Sequence, residues 1–211
     1  MPGTMSQDDL VADLKASIND AASSFKAAAD ADFKRHITVS ALALGEKRPR
    51  TLFSTLTLVA EQPAYPAPAL FCAFKSHLWG IAPRSSPQPW EKGWPGKLPK
   101  VKVVETNDDP VTRQLHLDPP PTGAQIGALG TEFRFYFYGG HVVDATAAKT
   151  SVAPGDRGLL ILRAQAEAMR ELAMRNVNKP VMMREGIASQ PRNGTPSWLY
   201  QELLKEWGQA A

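Results

Sequence analysis

The sequence predicts an α+β fold, and three observations support that prediction. The chain opens with an amphipathic helix, its middle alternates polar and apolar residues as antiparallel strands do, and a long amphipathic helix follows in its C-terminal half. With 211 residues, of which 43% are hydrophobic and 21% charged, the chain can bury a core without a disulfide or a metal. We expect a single α+β domain over residues 1–180 and a C-terminal extension over residues 181–211 that ends in a docking helix.

The N-terminal helix is predicted over about residues 6–35. Ser6 can cap its start, and Asp8 and Asp9 suit the positive end of the helix dipole. Its apolar stripe recurs every three or four residues and consists of Leu10, Leu14, Ile18, Ala21, Phe25 and Ala28. Because the stripe is narrow and rich in alanine, the helix is expected to pack closely against a partner helix.

A change to a period of two indicates strands after this helix. Residues 37–43 and 51–60 are predicted to form a hairpin or neighbouring antiparallel strands, and Leu42 and Leu44 leave a helical continuation open for the first segment. Residues 62–68 are too rich in proline for a helix, and residues 69–79 form either a strand or a short helix. Cys72 lies in that apolar stretch and is predicted to be a buried, inert thiol.

The second half of the β-rich region begins with a long proline-rich loop over residues 83–99, which contains Trp90 and Trp94. Loops of this length in a compact domain are usually functional. Short strands are predicted at 101–104 and 114–117, followed by a single helical turn at 123–129. Residues 132–138 form the clearest strand, because three phenylalanines mark one of its faces: Phe133, Phe135 and Phe137.

Two helices complete the prediction. The longer one covers residues 156–176, with the i,i+4 pairs Arg163–Glu167 and Glu171–Arg175 expected on its outer side. The short terminal helix starts after Thr195, whose hydroxyl can cap it, and has a proline at its first position.

No motif in the sequence indicates an enzyme. The chain has no nucleophile elbow, no phosphate-binding glycine loop and no zinc-protease motif, so we predict no catalytic residue, metal or cofactor. A small hydrolase or metal site around His141 and Asp144 remains a less favoured alternative, since no nucleophile or third ligand accompanies them. The chain begins with acidic residues rather than a signal peptide, and no apolar run is long enough to span a membrane. We therefore expect a protein that is made and kept in a cytosol-like compartment.

Charge is unevenly distributed and suggests partners. Residues 1–32 carry six Asp against two Lys, whereas residues 33–105 are clearly basic. This asymmetry suits head-to-tail contact between subunits, or a surface near nucleic acid that includes Arg48 and Arg50. Trp90 and Trp94 suit a protein contact, and alternatively a carbohydrate- or nucleic-acid-binding module in which both rings stack on the ligand.

Several segments together resemble a known family. The acidic N-terminal helix, the early strands and the extended segment 61–68, with its Tyr65-Pro66-Ala67-Pro68, are similar to tailed-bacteriophage head–tail adaptor (connector) proteins. Residues 159–173, rich in Ala, Glu and Arg, resemble the later bundle helix of that family. Residues 193–200 lead into a C-terminal docking element, where the resemblance implies partner contacts by Trp198, Tyr200 and Trp207.

The resemblance implies a structural role without catalysis. Such proteins form a homo-oligomeric ring under the portal, extend the DNA channel and present a surface to which tail or nozzle proteins attach. The N-terminal helix and the helix over residues 156–176 would bundle between neighbouring subunits, and Arg48 and Arg50 would face packaged DNA, which passes non-specifically. The expected location is the virion, after synthesis in the host cytoplasm.

Overall fold

The fold is α+β, as the sequence predicts. The computed structural model of the chain describes residues 5–80, 90–91, 94–175 and 195–211. In chain order the helices are α1 (Gln7–Ile18), α2 (Ala31–Lys47), α3 (Gly123–Leu129), α4 (Arg157–Arg175) and α5 (Pro196–Ala210). The strands are β1 (Arg50–Thr57), β2 (Ala64–Pro66), β3 (Phe71–His77), β4 (Lys100–Glu105), β5 (Arg113–Asp118) and β6 (Glu132–Gly139). Short 3₁₀ helices lie at Asn19–Ser24, Ala28–Asp30, Ala147–Lys149 and Pro154–Asp156.

The chain divides into two compact units. The helical unit consists of Met1–Pro49 and Gly140–Ala211, and the β unit consists of Arg50–Gly139. Each unit has its own hydrophobic core. The boundary expected near residue 180 stays a prediction, because residues 176–194 lie outside the described part of the chain.

The continuous helix expected over residues 6–35 is wrong. Ser6 caps α1 with the predicted capping box, but α1 ends at Ile18 and Asn19 adopts a φ of 49°. A second break follows at Ala29 and Asp30, which also have positive φ. Ser and Asp side chains in this stretch compete with the helix for backbone partners, and the Ser23 hydroxyl donates to the carbonyl of Asp20. The chain is therefore free to turn here, so that α2 begins at residue 31.

Of the two alternatives for residues 37–43, the helical continuation is confirmed and the strand is wrong, since these residues lie in α2. The alternation that suggested a strand is short, and it coincides with a helical spacing that buries Phe33, Ile37, Ala41 and Leu44. Gly45 lies within α2, which continues to Lys47. A Cβ atom at Gly45 would lie 3.2 Å from the Cα atom of Gly140, so glycine there permits a close approach of two backbone segments.

The two predicted C-terminal helices are present. α4 covers the segment expected at 156–176, and Thr195 caps α5 by accepting a hydrogen bond from the Trp198 amide. α1, α2 and α4 contribute to one core within a single chain, and Leu199, Tyr200 and Leu203 of α5 pack against it. The helices expected to bundle between subunits thus pack against one another within one chain, and a bundle between subunits stays a prediction.

The β unit contains two three-stranded antiparallel sheets, in the orders β1-β6-β3 and β2-β5-β4. The hairpin expected between residues 37–43 and 51–60 does not form, because β1 pairs with β6 instead. Residues 69–79, which the sequence left open, contain β3. The other predicted segments, at 101–104, 114–117, 123–129 and 132–138, correspond to β4, β5, α3 and β6.

The core of the β unit is aromatic and aliphatic. Phe133, Phe135 and Phe137 of β6 are all buried, as their alternation predicts, and Phe71 stacks on Phe137 with ring centroids 5.3 Å apart. Cys72 is exposed rather than buried. The β3–β6 register shifts between Phe71 and Ala73, and this irregularity leaves Cys72 outside the core.

Candidate functional site

The two tryptophans of the predicted loop are both exposed, and Trp90 is the most exposed aromatic side chain of the described residues. Trp90 is 80% exposed and Trp94 is 42% exposed. The Trp94 amide donates to the carbonyl of Glu91 at 3.1 Å, and most of the loop predicted at 83–99 lies outside the described residues. Both rings are accessible to a partner. Within the described part of the chain, no contact fixes the position of one ring relative to the other.

The three aromatic residues predicted on the terminal helix are placed differently from one another. Trp198 and Tyr200 are half-buried, whereas Trp207 is 7% exposed and belongs to the core. The Arg163 guanidinium lies 5.4 Å from the Trp207 ring centroid and the Lys47 ammonium lies 5.9 Å from it. The prediction of Trp207 as a partner contact is therefore corrected, because these cations and the helical core enclose its ring.

The two arginines predicted to face DNA are likewise placed differently. Arg48 donates to the Asp156 carboxylate at 2.7 Å and to the carbonyls of Ala210 and Ala211 at 2.9 and 3.3 Å. Its guanidinium is thus occupied by the end of α5 and the segment before α4. Arg50 begins β1 and is half-buried. Of the pair, Arg50 is the one that no described ion pair occupies.

His141 and Asp144 each have other hydrogen-bond partners, and no hydrogen bond joins the two side chains within the described part of the chain. His141 is buried, and its Nε2 atom lies 2.9 Å from the carbonyl oxygen of Arg48. The Asp144 carboxylate accepts from the Thr146 amide at 2.7 Å, and the Asp144 carbonyl accepts from the Gln7 amide at 2.9 Å. The His141 side chain and the Asp144 backbone therefore connect segments of the helical unit, and the hydrolase alternative stays a prediction.

The sequence did not reveal a polar cluster between α2 and α4, formed by Asp32, Arg35, His36, Glu171 and Arg175. The Glu171 carboxylate accepts from His36 Nε2 at 2.8 Å, from Arg35, and from Arg175 at 2.5 Å. Arg175 also reaches the buried Asp32 at 3.1 Å. His36 is almost fully buried against the ring of Phe25. The signal that would have found this cluster is the joint occurrence of charged residues on α2 and α4 at helical spacing.

The ion pairs of α4 were expected on the outer side of the helix, and for Arg163–Glu167 this prediction is wrong. Glu167 is buried and pairs with Arg163 at 2.7 Å and with Arg170 at 3.2 Å. Partial burial disfavours the charged form of Glu171, but the hydrogen bonds from His36 and the two arginines outweigh it and lower its pKa to about 2. A carboxylate held ionised in this way is suited to holding two helices together and unsuited to accepting a proton near neutral pH.

A groove of about 310 Å³ lies over this cluster, between α2 and α4. We call it the α2–α4 groove. Val39 and Met174 line it together with Arg35, Arg170 and the two glutamates of α4. Its lining combines apolar side chains with two arginines that pair with the two glutamates, an arrangement that fits a binding surface.

The free side of β1, here named the β1 edge, is a second exposed surface. β1 pairs with β6 through eight successive residues without a register shift, and within the described chain no other strand pairs with it. After Arg50 its sequence has neither charge nor proline, and Phe53 is half-exposed. The opposite edge, β3, differs because it has two register shifts and carries Lys75. Proteins normally protect free edges with such irregularities and charges, so of the two edges of this sheet β1 is the one that lacks this protection in the described part of the chain.

Compared with models of protein families and with curated proteins, the chain gives no match. No helix among residues 5–80, 94–175 and 195–211 is long and apolar enough to cross a membrane. Within the same ranges, no group of three or more His, Cys, Asp or Glu side chains is arranged as metal ligands would be.

Proposed function

We propose that this chain is a structural virion protein, a ring-forming head–tail adaptor that links the portal to the tail and extends the DNA channel. The observation that carries the proposal is the unprotected β1 edge. A strand of eight residues without charge, proline or bulge beyond its first residue offers unpaired amide and carbonyl groups to any extended segment. Such an edge suits a chain whose working state includes protein neighbours.

The apolar surface supports the same proposal. Exposed large side chains occur on β1 and in the tryptophan loop, and separately on α2 and α4. These are open surfaces rather than enclosed clefts, and exposed apolar patches of this kind usually serve contacts between proteins. Arg50 is the remaining candidate for the DNA channel, where a cation would contact phosphate without reading sequence.

The test is to measure the mass and symmetry of the purified protein, alone and with the portal of the same phage, by light scattering and electron microscopy. The proposal expects a closed ring, formed either by the chain alone or on the portal. A protein that stays monomeric in both conditions and does not bind the portal contradicts it.

A second candidate function rests on the exposure of Trp90 and Trp94. In this alternative the rings stack on sugars or on unpaired bases, and binding energy comes from about 1–3 kcal/mol per stacked base. The double variant Trp90→Ala with Trp94→Ala would then lose binding to single-stranded DNA or to a glycan array while its circular dichroism spectrum is unchanged. Wild-type protein that binds neither probe excludes this function.

A further inference from the structure

The β1-β6-β3 sheet has a second set of aromatic side chains on the face opposite to its core. Because the three phenylalanines of β6 are buried, the alternate residues Tyr136 and Tyr138 lie on the other face of the sheet. Phe53 of β1 is the register partner of Tyr136, and their ring centroids are 5.3 Å apart. Phe53 is 52% exposed, and both tyrosines are half-buried. We call Phe53, Tyr136 and Tyr138 the aromatic face.

Small side chains surround these aromatic rings. On β3, the register partners of the two tyrosines are Ser76 and Ala73. On β1, the residues two positions before and after Phe53, which share its side of the sheet, are Thr51 and Thr55. All four are exposed, and none is long enough to cover a neighbouring ring. The aromatic face is therefore accessible to flat groups that stack on it.

The polar side chains beside the aromatic face leave one cation without a counter-ion. The Lys75 ammonium lies 5.1 Å from the Tyr138 ring centroid and donates to the Thr51 hydroxyl at 3.1 Å. It forms no ion pair among the described residues. Glu132 is the only carboxylate in the three strands, and the Arg134 guanidinium donates to it at 2.6 and 3.0 Å. The aromatic face thus lies beside an unpaired positive charge, and its strands carry no unpaired negative charge.

This combination of groups distinguishes between the ligands that stack on aromatic rings. A sugar carries several hydroxyl groups whose protons need acceptors, and the one carboxylate of these strands is already occupied. A nucleic acid duplex stacks its bases on one another, so their flat surfaces are not accessible. An unpaired strand offers bases to the aromatic rings and phosphates to the ammonium, so it matches both features.

We propose that the aromatic face binds single-stranded nucleic acid, with bases stacked on Phe53 and Tyr136 and a phosphate bound by Lys75. Lys75 can reach a phosphate, since its exposed ammonium is held at Thr51 by one hydrogen bond and lies on a flexible stem. The threonine hydroxyls beside the rings can donate to base edges or accept from them. The site differs from the loop tryptophans and from the backbone groups of the β1 edge. It goes beyond the proposed function, because binding here does not require the chain to assemble.

The first test removes the stacking surface. A fluorescein-labelled thymidine oligonucleotide of about ten nucleotides is titrated with the protein at low salt, and its fluorescence anisotropy is measured. Phe53→Ala and Tyr136→Ala should each weaken binding about tenfold, as expected for the loss of one stacked base. Phe53→Trp and Tyr136→Phe keep an aromatic ring and should bind as the wild type does. Val111→Ala is the control, because Val111 is 63% exposed in the same unit and lies outside the aromatic face. Circular dichroism verifies that each variant is folded.

The second test removes the charge. Lys75→Gln should reduce the slope of the logarithm of the association constant against the logarithm of the salt concentration by about 0.7, the share of one phosphate contact on a single strand. Lys102→Gln changes the net charge of the chain equally, but Lys102 is exposed on β4 in the other sheet and pairs with Asp118. It should leave the slope unchanged. Equal changes of slope in the two variants would mean that the oligonucleotide responds to net charge alone, which contradicts the site.

The outcomes separate this inference from the proposed function. A wild type that binds no oligonucleotide at low salt overturns the inference, whether or not the chain forms a ring with the portal. Binding that persists in Phe53→Ala and Tyr136→Ala but is lost in Trp90→Ala with Trp94→Ala also overturns it, since the bases then stack on the loop tryptophans. Duplex DNA that competes as well as the single strand does the same. Binding that Phe53→Ala weakens, in a chain that stays monomeric with and without portal, supports the aromatic face and contradicts only the ring.

Discussion

The two units of this chain hold their cores together by different interactions. In the helical unit, charged side chains are drawn inside, and the carboxylate of Glu171 is shared by His36 and two arginines of the polar cluster. In the β unit, the charged pairs Lys102–Asp118 and Arg113–Glu105 remain exposed, and the core is filled by aromatic rings. Exposed pairs contribute little to stability, so the β unit depends on packing and the helical unit depends partly on charge.

The two units also differ in the kind of surface that each offers to a partner. The helical unit offers a groove whose charges are already ordered, and a charged partner surface can distinguish it from other grooves. The β unit offers the β1 edge, where backbone groups are free and side chains carry no charge beyond Arg50. The affinity of a charged partner for the groove should therefore fall as the salt concentration rises. The affinity of a partner strand for the β1 edge should instead depend on whether that edge stays regular and uncharged.

The largest expected effect is in the aromatic core. Phe135 is fully buried in the central strand β6, with neighbouring ring centroids at 5.8 and 5.9 Å. Phe135→Ala should lower the free energy of unfolding by about 3–5 kcal/mol, because it leaves a cavity that the sheet cannot fill. Urea unfolding followed by circular dichroism measures the loss. Phe53→Ala on the exposed face of the same sheet is the control, and an equal loss there would contradict the assignment of the core.

The next effect concerns the polar cluster and depends on pH. The pKa of Glu171 is about 2 in the folded chain and 4.5 without its partners, so its stabilising contribution is complete above about pH 4.5 and is lost as the pH falls toward 2. Glu171→Gln should lower the free energy of unfolding by about 2–3 kcal/mol at pH 7. The variant should also lose less stability than the wild type between pH 5 and pH 2, as measured by urea unfolding.

Glu202→Gln supplies the matched control for this prediction. Glu202 is exposed on α5 and has no ion pair within the described chain. Its replacement should change neither the free energy of unfolding by more than about 0.5 kcal/mol nor its dependence on pH. If Glu171→Gln behaves in the same way as Glu202→Gln, the cluster does not stabilise the helical unit.

Local patterns predicted much of this structure. The strand β6 and the helix α4 were predictable because each has a long and regular apolar period, and α5 was predictable from its cap and its proline. The middle of α2 was not, since the short alternating segment over residues 37–43 fits a strand and a helix equally well. The break between α1 and α2 depends on Asn19, Ala29 and Asp30 at positive φ, which no periodicity reveals.

Contacts between residues that are distant in sequence could not be predicted from local patterns. β1 pairs with β6 across more than seventy residues, and the sequence instead suggested its nearest neighbour as the partner. The polar cluster was missed for the same reason, because Glu171 lies 135 residues from His36. Charged pairs on a helix normally face solvent, so Arg163–Glu167 gave no sign of burial. The exposure of single side chains could not be predicted either. Trp207 was expected to contact a partner but is buried, and Cys72 was expected to be buried but is exposed.

The smallest effect on stability is expected at the β1 edge, where the effect on assembly should be the clearest. Thr55 is exposed and lies opposite Arg134 in the β1–β6 register. Thr55→Glu should change the free energy of unfolding by less than about 0.5 kcal/mol, since the new carboxylate faces a cation across the strands. It should nevertheless reduce the fraction of protein bound to the portal or to neighbouring copies, measured by light scattering, because a charge on an edge strand discourages strand addition. Ser76→Glu on β3, an edge already protected by its irregular register and Lys75, should leave that fraction unchanged. Equal losses from both substitutions would mean that added negative charge, rather than an open strand edge, governs association.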